Sequence, residues 1–110
     1  MAGAWEGLVK PRMTRSSGNV FKDLGFPEEE AENLKIRSAL MGHLRRMIEK
    51  RGLTQARAAK LMGTSQPRVS DLVRGKIELF SIDALVGMLA HLGARVRLEV
   101  TTRSRRSHVA

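Results

Sequence analysis

Apolar residues fall at Ile36, Leu40, Leu44, Met47 and Ile48, spaced i, i+4, i+8, i+11 and i+12, which is one face of a helix. Arg37, Arg45, Arg46 and Lys50 fall largely outside that stripe. The pattern predicts a long helix from Pro27 or Glu28 to Arg51. Three glutamates sit in its first turn, at the positive end of the helix dipole, and Gly52 is its left-handed cap. Two short helices follow. Thr54 is placed to cap the first, 55–62, which Gly63 closes; Ser65 is placed to cap the second, 66–74, which Gly75 closes. Pro67 is tolerated as the second residue of that helix, because the N–H it lacks has no intrahelical partner there. Ser81 starts a further helix, 82–92, with Ile82, Leu85, Val86, Leu89 and Leu92 on one face and Gly93 at its end. The period then drops to two. Val96, Leu98 and Val100 alternate with Arg95, Arg97 and Glu99, the pattern of a half-buried strand.

Ahead of the long helix, 19–26 is expected as a short extended or turn segment anchored by Val20, Phe21, Leu24 and Phe26. Residues 1–18 mix Gly, Ser, Arg and one Trp without periodicity, and Met13 is a candidate alternative start. The organisation expected is a flexible N-terminal segment over 1–26, a helical domain over 27–94, a dimerisation strand over 95–101 and a disordered basic tail over 102–110. A lone strand leaves both backbone edges unpaired. Its partner within the chain can only be the stretch near Val20 and Phe21; otherwise it is the same strand of a second copy.

Composition narrows the class. A chain of 110 residues makes one small domain with tails, and 4% aromatics leave the core to aliphatic side chains and the six methionines. The formal charge is +9, unevenly spread. Between Asp23 and Glu32 lie five acids and no base, whereas 33–76 holds eleven Lys and Arg against Glu49 and Asp71. That surplus draws polyanions, of which nucleic acid is the commonest. No cysteine is present, which excludes disulfide and thiol chemistry. No secretory signal or run of ~18 apolar residues is visible, so a cytoplasmic protein is expected. His43, His91 and His108 show no metal-ligand spacing, and nothing sets a nucleophile beside a base or a glycine loop around a phosphate. Neither an enzyme nor a cofactor or metal site is expected.

The two short helices joined by a glycine turn form a helix-turn-helix pattern. Ala59, fifth from Gln55, is small where the helices cross; Gly63, ninth, suits positive φ; Val69 and Leu72, fifteenth and eighteenth, form the buried side of the second helix. The opposite side of that helix stays free and is narrow enough to enter the major groove of DNA.

The stretches "LTQ", "AAKLMG", "SQPRVS" and "RGK" resemble the XRE family of lambda repressor and Cro-like domains over roughly 38–93. The wider pattern, with "SSGNVFKDLGF" before the domain and "LGARVRLEV" after it, resembles HigA-like antitoxins. The fold implied is mainly α, a lambda-repressor-like helix-turn-helix bundle of four to five helices with a short C-terminal β-strand. The family implies a homodimer on palindromic double-stranded operator DNA. The subgroup implies a repressor of its own operon that neutralises a ribonuclease toxin. Carried over by position, the resemblance sets Gln55 on a DNA phosphate and Gln66, beside the Ser65 cap, on a base edge such as adenine. Pro67 offers an apolar face to a thymine methyl, Arg68 reaches guanine or phosphate, and Ser70 lies on the exposed side. Arg74 and Lys76 are placed for the DNA backbone. Asp71 departs from the pattern: it accepts from a cytosine amino group or pairs with Arg68 or Arg74. Two rival readings stand beside this one. The first is a stand-alone regulator without a toxin; the second is a basic module for an acidic protein or RNA, which the scarcity of aromatic stacking residues weakens.

Overall fold

A computed structural model describes residues 19–102. Of the expected leader, 1–18 with Met13 lies outside the described residues, as does 103–110 of the basic tail with His108. Among the described residues, five α-helices and one 3-10 turn run in order: α1 (Val20–Asp23), α2 (Glu28–Lys50), α3 (Gln55–Met62), α4 (Gln66–Val73), the turn Ile77–Leu79, and α5 (Ile82–His91). α3 packs on α4, α2 on α5, and α1 on the start of α2. One core joins α2 through α5, built on Met41, Leu44, Val69, Leu72, Phe80 and Leu85.

The caps follow the local chemistry. The hydroxyls of Thr54, Ser65 and Ser81 accept from the backbone N–H of Arg57, Arg68 and Ala84, giving each helix a partner for one orphan donor. The expected stripe of α2 holds at Leu40, Leu44 and Ile48, which are buried, and at Met47, which packs against the core; it extends back through Ala31, Leu34, Ser38 and Met41 and leaves out Ile36. Ile36 is 42% exposed. Two residues beyond Leu34 is about 200° around a helix of 3.6 residues per turn, the far side from the core. On α5 the buried residues are Leu85, Met88 and Leu89, while Val86 faces outward. Phe80, unremarked in the sequence, is a fully buried anchor that follows the 3-10 turn.

Two expectations are corrected. The segment before α2, expected as extended or turn, is not extended: a single helical turn over Val20–Asp23 runs into turn residues Leu24 and Gly25. Asn19 is buried and acts in both directions: its Oδ1 accepts from Phe21 N at 3.0 Å and Lys22 N at 3.3 Å, and its Nδ2 donates to Ala31 O at 3.3 Å. Phe21 and Phe26 then meet edge to face, with ring centroids 6.2 Å apart. The short C-terminal strand is absent: no strand occurs among the described residues, and 94–102 is irregular. A strand needs an adjacent edge, and the stretch near Val20 and Phe21 expected to supply it is committed to α1.

Candidate nucleic-acid interface

α3 and α4 are both eight residues long and meet through Ala59, Val69 and Leu72, all buried. The link between them turns at Gly63, with φ 68° and ψ 36°. The Thr64 N–H closes the turn by donating to Ala59 O at 2.9 Å. A Cβ on Gly63 would come 3.4 Å from His91 Nε2, and the positive φ alone already disfavours any side chain there. The His91 ring is held by its Nδ1–H, which donates to Gly87 O at 2.9 Å. Burying Val69 and Leu72 fixes the roll of α4, so Gln66 and Pro67 point out at its N-terminal end. The Ser65 cap is exposed beside them, and Ser70 is half-buried one turn on.

A groove crosses the surface between the N-terminal ends of α3 and α4. Thr54, Arg57, Lys60, Thr64 and Gln66 line it, with Ala56 and Ala59 between them. Arg57 and Lys60 are exposed and have no side-chain partner among the described residues. Both helix N-termini add partial positive charge to the same groove, and no acid lines it. Sequence reasoning counted Arg57 and Lys60 in the basic surplus without assigning them to this surface. Their i, i+3 spacing on α3, away from buried Ala58, Ala59 and Met62, was the available signal.

The other expected residues are placed as follows. Gln55 opens α3, is half-buried and does not line the groove. Arg74 caps the end of α4 and is exposed with no side-chain partner among the described residues. Lys76 and Asp71 form an ion pair at 3.8 Å, so the partner of Asp71 within the chain is neither Arg68 nor Arg74. The backbone brings them together, since Lys76 N–H donates to Asp71 O at 3.1 Å where the chain leaves α4. Arg68 is turned inward. Its guanidinium lies 4.4 Å from the centroid of the Phe80 ring and donates to Leu79 O at 3.0 Å. In this arrangement it ties α4 to the 3-10 turn.

Among the described residues, no three His, Cys, Asp or Glu side chains gather as metal ligands, and no helix is long and apolar enough to cross a membrane. No curated protein matches the chain. A family model described as a helix-turn-helix domain matches residues 20–101, which takes in every helix described above and the irregular segment after α5, and the chain belongs to that family.

Proposed function

We propose that this chain is a sequence-specific DNA-binding transcriptional repressor that acts as a homodimer on a palindromic operator. One observation carries the reading: the exposed tip of α4, with Gln66 foremost, borders a groove whose two cations have no side-chain partner among the described residues. A glutamine amide at that tip suits bidentate pairing with adenine in the major groove, and Arg57 and Lys60 suit the flanking phosphates. Membership of the helix-turn-helix domain family supports the same use of the surface. A two-fold dimer sets its recognition helices about 34 Å apart, one turn of DNA, or a multiple of that. The test is a footprint on the DNA upstream of the protein's own gene. Protection of a palindrome is the expected result; no protection at modest salt, with retention of RNA or an acidic protein instead, overturns the reading.

The resemblance to HigA-like antitoxins supports a finer reading, in which the chain represses its own operon and neutralises a ribonuclease toxin. The surface that favours it is the junction of α1 and α2. Leu24 is 69% exposed there, beside Phe26 and exposed Glu28, Glu29 and Glu30. An apolar patch rimmed by acids fits a basic protein partner. Replacing Leu24 by Arg together with Glu29 by Lys leaves the Asn19 anchor intact. Against a toxin encoded beside this gene, which the reading requires, the pair of changes is expected to abolish neutralisation while operator binding persists. Full neutralisation by that variant removes this surface from the interface.

A further inference from the structure

The last hydrogen bond that ties the C-terminal segment to the body is Ala94 N–H to Leu89 O, at 2.9 Å. Beyond it, 95–102 makes no backbone hydrogen bond among the described residues. Val96 still lies beside Ala39, Leu40 and Met47 of α2 and is 40% exposed, whereas Leu98 and Val100 are 81% and 83% exposed. The segment thus leaves the body near Arg97 with two large apolar side chains uncovered and a run of backbone donors and acceptors unpaired.

We infer that this segment pairs antiparallel with the same segment of a second copy, about a two-fold axis that passes through Leu98. The inference rests on the homodimer reading above and adds the register. In a two-fold antiparallel pair, opposed residues have a constant sum of numbers, so the residue on the axis faces itself. An axis at Arg97 sets Arg97 against Arg97 of the partner subunit, and an axis at Glu99 sets two glutamates together. Like charges directly opposed are unfavourable. An axis between residues sets Arg97 against Leu98 of the partner subunit, which mixes the apolar and charged faces. An axis at Val96 opposes Arg95 to Arg97 of the partner subunit, and an axis at Val100 leaves Leu98 against Thr102 of the partner subunit and Glu99 against Thr101 of the partner subunit, with no ion pair. The Leu98 axis resolves both conflicts and also matches apolar to apolar and Arg97 to Glu99 of the partner subunit. It sets Leu98 against Leu98 of the partner subunit, Val96 against Val100 of the partner subunit, and Arg97 against Glu99 of the partner subunit. The last two pairs occur twice by symmetry. One face of the ribbon is then wholly apolar, and the other carries two cross-strand ion pairs. Self-complementarity of this kind is what an isologous interface requires.

The chain has no cysteine, so a single introduced thiol reads the register directly. Arg97→Cys, Leu98→Cys and Glu99→Cys are each made in the full chain and oxidised mildly. Directly opposed Cα atoms lie about 4.5–5.5 Å apart and diagonal ones about 7–8 Å, and a disulfide spans only the former. Leu98→Cys is expected to give the disulfide dimer on the order of tenfold faster than either neighbour. Fastest cross-linking at 97 or 99 overturns the register. A dimer by light scattering that none of the three cross-links overturns the pairing of this segment; a monomer overturns the homodimer reading with it. As a second arm, Arg97→Glu or Glu99→Arg alone is expected to weaken the dimer by about tenfold, and the two together to restore it. Absence of restoration rejects the cross-strand ion pairs. Efficient cross-linking at Leu98 in a protein that leaves no footprint on its own upstream DNA retains this interface and removes the repressor reading instead.

Discussion

Arg37, Arg51 and Arg68 aim their guanidinium groups at backbone carbonyls, whereas the cationic groups of Arg57, Lys60 and Arg74 have no partner among the described residues. Arg37 donates to Ile77 O at 3.1 Å and Phe80 O at 3.3 Å, and its Nε–H donates to Asn33 Oδ1 at 2.7 Å. Arg51 donates to Leu92 O at 2.9 Å, at the C-terminal cap of α5 where orphan carbonyls gather negative charge. Arg68 holds Leu79 O. The inner set therefore pins the 3-10 turn from two sides, α2 and α4, and fastens the end of α5 to the end of α2. The outer set borders the groove or ends α4. Residues of one charge thus divide between building the scaffold and facing solvent, where the proposed function has them meet a polyanion. A basic surplus locates such a surface only after the structural cations have been subtracted from it.

The largest test of this division is Arg37→Ala. Hydrogen bonds to charged groups contribute about 1.5–3 kcal/mol each. Losing the clamp on two carbonyls is expected to lower unfolding stability by ~2–3 kcal/mol in urea, after allowing for relaxation and water. Arg37→Lys should recover little, because an ammonium lacks the planar fork that spans three acceptors. A loss below about 0.5 kcal/mol, the range of neutral surface changes, would move Arg37 to the outer set. Next in size is Gln66→Ala, which removes a groove-facing amide and no internal contact. It is expected to cost ~1–3 kcal/mol on the operator and little on random DNA. Equal losses on both DNAs would make Gln66 a positioning residue without a role in sequence reading.

The same division explains what was legible in the sequence. Caps and turns depend on a few adjacent residues, so Thr54, Ser65, Ser81 and Gly63 could be read directly, and the helices α2 to α5 with them. The buried side of α4 was legible too, because two apolar residues in an eight-residue polar helix leave one solution. The role of each arginine was not legible, since Arg37 finds its partners at Ile77 and Phe80 and Arg68 at Leu79 and Phe80. Those are tertiary contacts that no local pattern encodes. Phe80 itself was hidden by isolation, a lone aromatic between a 3-10 turn and a cap. Ile36 misled because it alone of the expected stripe falls off the core side; Leu40, Leu44, Met47 and Ile48 were read correctly, and the stripe continues back through Leu34 and Ala31. The strand expected from the alternation at 95–100 does not form within the described residues, because alternation cannot supply the neighbouring edge that a strand needs.

For the outer set, Arg57→Ala and Lys60→Ala are each expected to flatten the salt dependence of DNA binding by about one unit of log–log slope, alike on operator and random DNA. Neither should change unfolding stability by more than ~0.5 kcal/mol, since neither holds another part of the protein. A fall in stability with an unchanged slope would place them with the inner arginines. Lys76 stands between the sets. Its ion pair with Asp71 is part-exposed, and such pairs contribute ~0–1 kcal/mol. Lys76→Ala is expected to be nearly silent in urea and still to reduce the salt slope by about one.

Arg68 gives the smallest effect and the finest discrimination. In the free protein it belongs to the inner set, stacked on Phe80 and bonded to Leu79 O, yet it sits on α4 two residues beyond Gln66. Arg68→Lys keeps the charge and removes the planar stacking. The expected cost is ~0.5–1 kcal/mol of stability, the size of an exposed cation–π contact. Because the charge is kept, the salt slope of DNA binding should not move. If Arg68 stays on Phe80 in the complex, the lysine variant binds every single-base variant of the operator with the same relative affinities as the parent. If it swings out to pair with guanine, discrimination at one base position relaxes by ~1–3 kcal/mol while the other positions hold. Affinity measured across a set of single-base operator variants separates the two, and a loss confined to one guanine would transfer Arg68 from the scaffold to the reading surface.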